Sequence, residues 1–155
     1  MESDSQLRER LLFAERAAAA PYVDYPRDPW WIAPGFGLLA VLFVLGINLR
    51  ERPDGSGWLG SLMSLAVGLA AGGFLRWQRR RRGTMPAGKA PREVKRVLVG
   101  FVVGASIVAV ALFTLADTAP LWLALPAAFA VTTAGMLWYG AAYDHAAAKV
   151  KERLA

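Results

Sequence analysis

Four long stretches of the chain contain no Asp, Glu, Lys, Arg or His: Pro29 to Leu49, Gly55 to Leu75, Val97 to Ala116 and Thr118 to Tyr143. The charges fall in blocks between them. A helix on the surface of a water-soluble bundle needs a polar stripe, and none of the four stretches has one. Runs of about 20 mostly apolar residues match the length a helix needs to cross the hydrocarbon of a bilayer. The pattern therefore predicts an all-α integral membrane protein with four transmembrane helices, over about residues 30–49, 58–77, 97–116 and 120–142. Short turns after spans one and three arrange these as two antiparallel hairpins within a transmembrane domain of residues 29–143. The first turn has Pro53, Asp54 and Gly55, and the second is Asp117 to Pro120.

The flanks read differently. Residues 3–20 predict a helix with Ser3 as N-cap, Gln6 as its capping-box partner and no Gly or Pro before Pro21. Leu7, Leu11, Ala14 and Ala18 follow a 4-3-4 spacing along one side of it. Pro21, Pro26 and Pro29 predict a stiff, non-helical linker over Pro21 to Pro29, which closes an N-terminal segment of residues 1–28. Beyond Tyr143 the fourth helix is expected to continue as a tail over 144–155. There Tyr143, Ala147, Val150 and Leu154 repeat the 4-3-4 spacing, so the two flanking stripes are expected to pack on each other or on the connector.

Charge adds orientation. The connector Gln78 to Arg96, punctuated by Gly and Pro, lies with Arg76 in a stretch that carries nine cations: Arg76, Arg79, Arg80, Arg81, Arg82, Lys89, Arg92, Lys95 and Arg96. The N-terminal segment has four and the tail three, against two in the first hairpin turn and none in the second. The positive-inside rule then places both termini and the connector in the cytoplasm of an inner membrane. The same arginines are expected to set topology and to attract anionic headgroups rather than nucleic acid. All six tryptophans, Trp30, Trp31, Trp58, Trp77, Trp122 and Trp138, fall at or near span ends, where amphipathic rings anchor at the headgroups.

Composition limits the chemistry. At 155 residues and 55% hydrophobic, the spans use most of the chain and leave no piece able to bury a separate core. With no Cys there is neither a disulfide framework nor a thiolate metal site, and His145 has no second ligand at metal spacing. No nucleophile elbow, zinc-protease helix or phosphate loop occurs, so no enzyme, metal or cofactor is expected. No ionisable residue lies within a span, as a coupled transporter normally requires. In size and span number the chain resembles small multidrug-resistance exporters, but it lacks their membrane-embedded glutamate in the first span. It is similar in size to dual-topology fluoride channels, yet its charge bias is one-sided.

Small residues supply the remaining signal. Gly60, Ser64, Gly68 and Gly72 recur at intervals of four in the second span, and Gly100 and Gly104 do so in the third. Such residues let helix backbones approach closely in lipid, so these faces are expected to pack, within the chain or against a second copy or another membrane protein. Pro126 is expected to kink the fourth span near Trp122. The function expected is a non-enzymatic accessory or interaction subunit. The alternative is a small oligomeric channel or transporter.

Overall fold

The computed structural model describes residues 4–24, 28–50, 57–82 and 90–154. They form five helices: α1 (Asp4–Val23), α2 (Ile32–Arg50), α3 (Gly57–Arg82), α4 (Arg92–Thr118) and α5 (Leu121–Leu154). No strand occurs among the described residues. Helices α2 to α5 are each long and apolar enough to cross a membrane, so the chain is an all-helical, multi-pass membrane protein. Ser3, Lys89 and the Pro53 to Gly55 turn lie outside the described residues.

Helix α2 is central. It touches α3, α4 and α5, whereas α3 makes its main contacts with α2 alone. Trp31 at the start of α2 meets Trp77 near the end of α3 with ring centroids 5.6 Å apart. Towards the other end of this pair Gly46 lies against Gly60: a Cβ at Gly46 would sit 3.2 Å from the Gly60 carbonyl oxygen. Two apolar clusters hold the bundle. One unites Ala40 and Val44 of α2 with Leu112 and Ala116 of α4 and Ala124 and Ala128 of α5. The other unites Ala19 and Tyr22 of α1 with Val94 of α4 and Tyr143, Ala146, Ala147, Val150 and Leu154 of α5. The first cluster is built largely from alanines, whose small side chains bring the helix backbones close where lipid supplies no hydrophobic drive.

Three boundaries differ from the sequence expectation. Helix α1 continues through Pro21 to Val23, and the Asp24 N–H still donates to the Ala20 carbonyl at 2.9 Å. Burial of Tyr22 and the bond its carbonyl accepts from the Tyr143 hydroxyl, at 2.9 Å, stabilise the turn that proline weakens. The connector is also shorter than Gln78 to Arg96. Helix α3 runs on through Arg82, because Gln and Arg are good helix formers and the first breaker is Gly83. Helix α4 already begins at Arg92, directly after Pro91, with Glu93 in its first turn, where the helix dipole favours an acid.

Helix α5 is 34 residues long and continues through Pro126 without a break. At 1.5 Å per residue it spans about 50 Å, some 20 Å more than the hydrocarbon layer. Its excess length carries the second cluster. Before it, Ala119 is extended and the Pro120 carbonyl accepts from the Leu123 and Ala124 N–H groups at 2.9 and 3.0 Å, so the helix starts from Pro120.

Candidate functional site

The end of the bundle where α1, α4 and α5 converge is the most elaborated part of the molecule. Phe101 of α4 stacks on Tyr139 of α5 at 4.2 Å, and Tyr139 meets Tyr143 at 5.9 Å. The Tyr143 hydroxyl then donates to the carbonyl of Tyr22. Around this aromatic line the Arg16 guanidinium donates to the Leu154 carbonyl at 2.5 Å. Arg153 reaches Glu15 at 2.8 Å and Glu93 at 3.4 Å, and Lys151 pairs with Asp24 at 2.7 Å. Arg153 therefore ties three helices together. Its side chain is 47% exposed, which limits each ion pair to about 0–1 kcal/mol; the apolar cluster holds the cap and the charges set its register.

The tail stripe meets the sequence expectation, for Tyr143, Ala147, Val150 and Leu154 are all buried. The α1 stripe does not. Leu7, Leu11, Ala14 and Ala18 are exposed, and α1 instead docks through Ala19 and Tyr22. The correction has a simple cause. Arg16 lies at the level of Leu154 and Tyr22 at that of Tyr143, so α1 runs opposite to the tail and only its second half overlaps it. The stripe lies mostly beyond the end of α5.

At the α2–α3 seam Phe36 meets Phe74 at 5.0 Å, Phe74 meets Trp77 at 5.8 Å, and the Arg81 guanidinium lies 5.3 Å from the Trp77 ring. Trp30, Trp58, Trp122 and Trp138 are exposed: Trp30 just before α2, Trp58 and Trp122 in the first turns of α3 and α5, and Trp138 midway along α5. Arg76, Arg79 and Arg80 project from the last turns of α3, and Lys95 and Arg96 from the first turns of α4.

The small residues divide. A Cβ at Gly60 would lie 2.7 Å from the Arg50 nitrogen, so Gly60 is in backbone contact with α2. Ser64 borders the same contact and donates to its own Gly60 carbonyl at 3.0 Å. Among the described residues, nothing lies within 4 Å of a Cβ added at Gly68, Gly72, Gly100 or Gly104. Helical geometry explains the division: each four-residue step turns by about 40°, so Gly72 points roughly 120° away from Gly60. The buried and half-buried positions of α3, which include Gly60, Met63, Ser64, Val67, Ala71, Phe74, Trp77 and Gln78, recur at intervals of three and four rather than four alone.

Ser61, Ser106, Thr114 and Thr118 each donate to a carbonyl of their own helix. Thr132 and Thr133 differ, since their buried hydroxyl oxygens have no hydrogen-bond partner among the described residues. Thr133 faces Gly37 of α2, and a Cβ at Gly37 would also lie 2.8 Å from the Phe129 ring. No group of acidic, His or Cys side chains able to hold a metal gathers among the described residues. The sequence reading missed Val94, Phe101 and Tyr139, although Val94, Leu98 and Phe101 repeat at 4-3 spacing. That signal was obscured by the uniformly apolar run around it. Compared with known proteins, the chain matches no family model, no curated protein and no solved structure.

Proposed function

We propose that this protein is a non-enzymatic accessory subunit of the inner membrane, built as two antiparallel hairpins, α2–α3 and α4–α5. Both termini lie in the cytoplasm, where α1 and the end of α5 form a cap. The chain acts by associating with a second copy or another membrane protein through the small-residue faces of α3 and α4. One observation carries the reading: Gly68, Gly72, Gly100 and Gly104 are uncovered in the single chain, and α3 rests mainly on α2. Small residues uncovered in lipid allow a further backbone to approach closely.

The test is purification in mild detergent with measurement of mass and identification of co-purifying chains. Gly68→Leu should abolish the larger species while leaving the single chain folded. A wild-type protein that stays monomeric and unaccompanied would refute the association. Orientation is tested separately, because a chain without Cys accepts single reporters: Gln78→Cys should be labelled only from the cytoplasm and Thr118→Cys only from the opposite side.

The alternative, a small oligomeric channel or transporter, is supported by the two unpartnered hydroxyls of Thr132 and Thr133 within α5. Solute or ion flux through purified protein in vesicles, lost in Thr132→Val/Thr133→Val, would establish it. Silent vesicles would remove it.

A further inference from the structure

The cations at the ends of the helices are treated in two ways. On α5 they face carboxylates, as Lys151 does Asp24 and Arg153 does Glu15 and Glu93. On α3 they do not. Arg76, Arg79 and Arg80 make no ion pair among the described residues, and no Asp or Glu occurs between Asp54 and Glu93.

Their direction is fixed by packing elsewhere on the same helix. The Gly46–Gly60 contact and the Phe36–Phe74 and Trp31–Trp77 ring pairs set which side of α3 meets α2. At about 100° per residue, Arg76, Arg79 and Arg80 fall within one arc of about 100° on the opposite side. Arg81 is turned towards the seam, onto the Trp77 ring. Below the three arginines on the same outer side are Leu65 and Leu69, 58% and 68% exposed, and Gly73 with nothing within 4 Å of an added Cβ. This side of α3 thus presents an apolar track that ends in three guanidinium groups with no acid to neutralise them among the described residues. Trp77 marks the depth of the headgroups, and Arg76 is its neighbour in sequence.

From this placement we infer that Arg76, Arg79 and Arg80 hold the phosphate of one anionic phospholipid, whose acyl chain lies along Leu69 and Leu65 and borders the Gly68 side proposed above for association. Guanidinium forks suit a phosphate because they offer paired N–H donors in a plane. A bound lipid supplies at one place both the negative charge that the arginines lack and an acyl chain to lie against the leucines. A nucleic acid would match the charge and leave the apolar track bare. The assignment to the inner leaflet rests on the orientation proposed above; the binding itself does not.

The test uses the full chain in neutral-detergent micelles, titrated with phosphatidylglycerol or phosphatidylcholine and read by native mass spectrometry. One phosphatidylglycerol should be retained and no phosphatidylcholine. Arg76→Gln/Arg80→Gln should weaken retention about thirtyfold, at the strength expected for two surface arginines. Arg8→Gln/Lys149→Gln removes the same charge from exposed positions on α1 and the tail and should leave it unchanged. Equal weakening in both double variants would reduce the effect to diffuse charge and overturn the site. So would unchanged retention in the Arg76/Arg80 variant, or displacement of the lipid by an oligonucleotide at equal concentration. Both variants change exposed side chains, and unaltered far-ultraviolet circular dichroism confirms that folding is not the cause. Failure of the orientation appears separately, as labelling of Gln78→Cys from the outer side.

Discussion

Gly60→Ala and Gly68→Ala place the same methyl group two turns apart on one helix and should have opposite effects. At Gly60 the new carbon would lie 2.7 Å from the Arg50 nitrogen and 3.0 Å from its Cα. Those are backbone atoms and cannot rotate aside. Relieving the overlap requires α2 and α3 to separate by about 0.5–1 Å, and a gap of that size forfeits a quarter to a half of each contact's attraction along the seam. The expected cost is about 1–3 kcal/mol, as for other overpacked interfaces. Gly68 has nothing within 4 Å, so its methyl group meets no neighbour in the single chain. Replacing glycine by alanine within a helix then favours the folded state by up to about 1 kcal/mol. Unfolding in mixed micelles, titrated with a denaturing detergent and followed by tryptophan fluorescence, separates the two. A Gly60→Ala midpoint at or above that of Gly68→Ala would refute the reasoning that the α2–α3 contact is centred at Gly46 and Gly60.

Other outcomes follow from the cap and the mid-span hydroxyls. Tyr143→Phe removes the bond to the Tyr22 carbonyl and should cost about 0.5–1.5 kcal/mol, seen as faster hydrogen exchange over residues 15–23. Arg153→Ala should cost under about 1 kcal/mol and lose even that at high salt, because both of its ion pairs are solvent-accessible; a larger, salt-independent loss in thermal unfolding would show that the charges rather than the apolar cluster hold the cap. Thr132→Val/Thr133→Val replaces two unpartnered hydroxyls with groups of similar shape and should leave stability equal or raise it by about 1 kcal/mol in the same unfolding titration.

The four spans were legible because lipid imposes a rule that holds along the whole helix: no charge within the hydrocarbon. Charge-free runs such as Val97 to Ala116 state this directly. Which side of each helix packs is not subject to such a rule. The Gly60 to Gly72 spacing reads as one stripe, but at about 40° per step it stays on one side only if the neighbour crosses with the matching hand. Helix α2 instead follows the 3-4 seam through Met63, Val67 and Phe74. The flanks show the same contrast. Val150 and Leu154 were readable because the tail has polar residues to mark its other side. The docked face of α1 depends on where α1 overlaps the tail, and no local signal specifies that. Pro21 was overruled by a tertiary bond, and the arginines through Arg82 extend α3 instead of opening the connector.

Helix α5 belongs to both apolar clusters, through Ala124 and Ala128 in one and Tyr143, Val150 and Leu154 in the other. It therefore couples the two clusters mechanically. Its fulcrum is Pro126, where one backbone bond is missing and bending is easiest. A change of about 5° there, carried along 28 residues at 1.5 Å each, displaces Leu154 by about 4 Å. The Arg16 and Arg153 bonds would carry α1 along with it. A small rearrangement of alanines near one end of α5 thus becomes a shift of several ångströms at its other end.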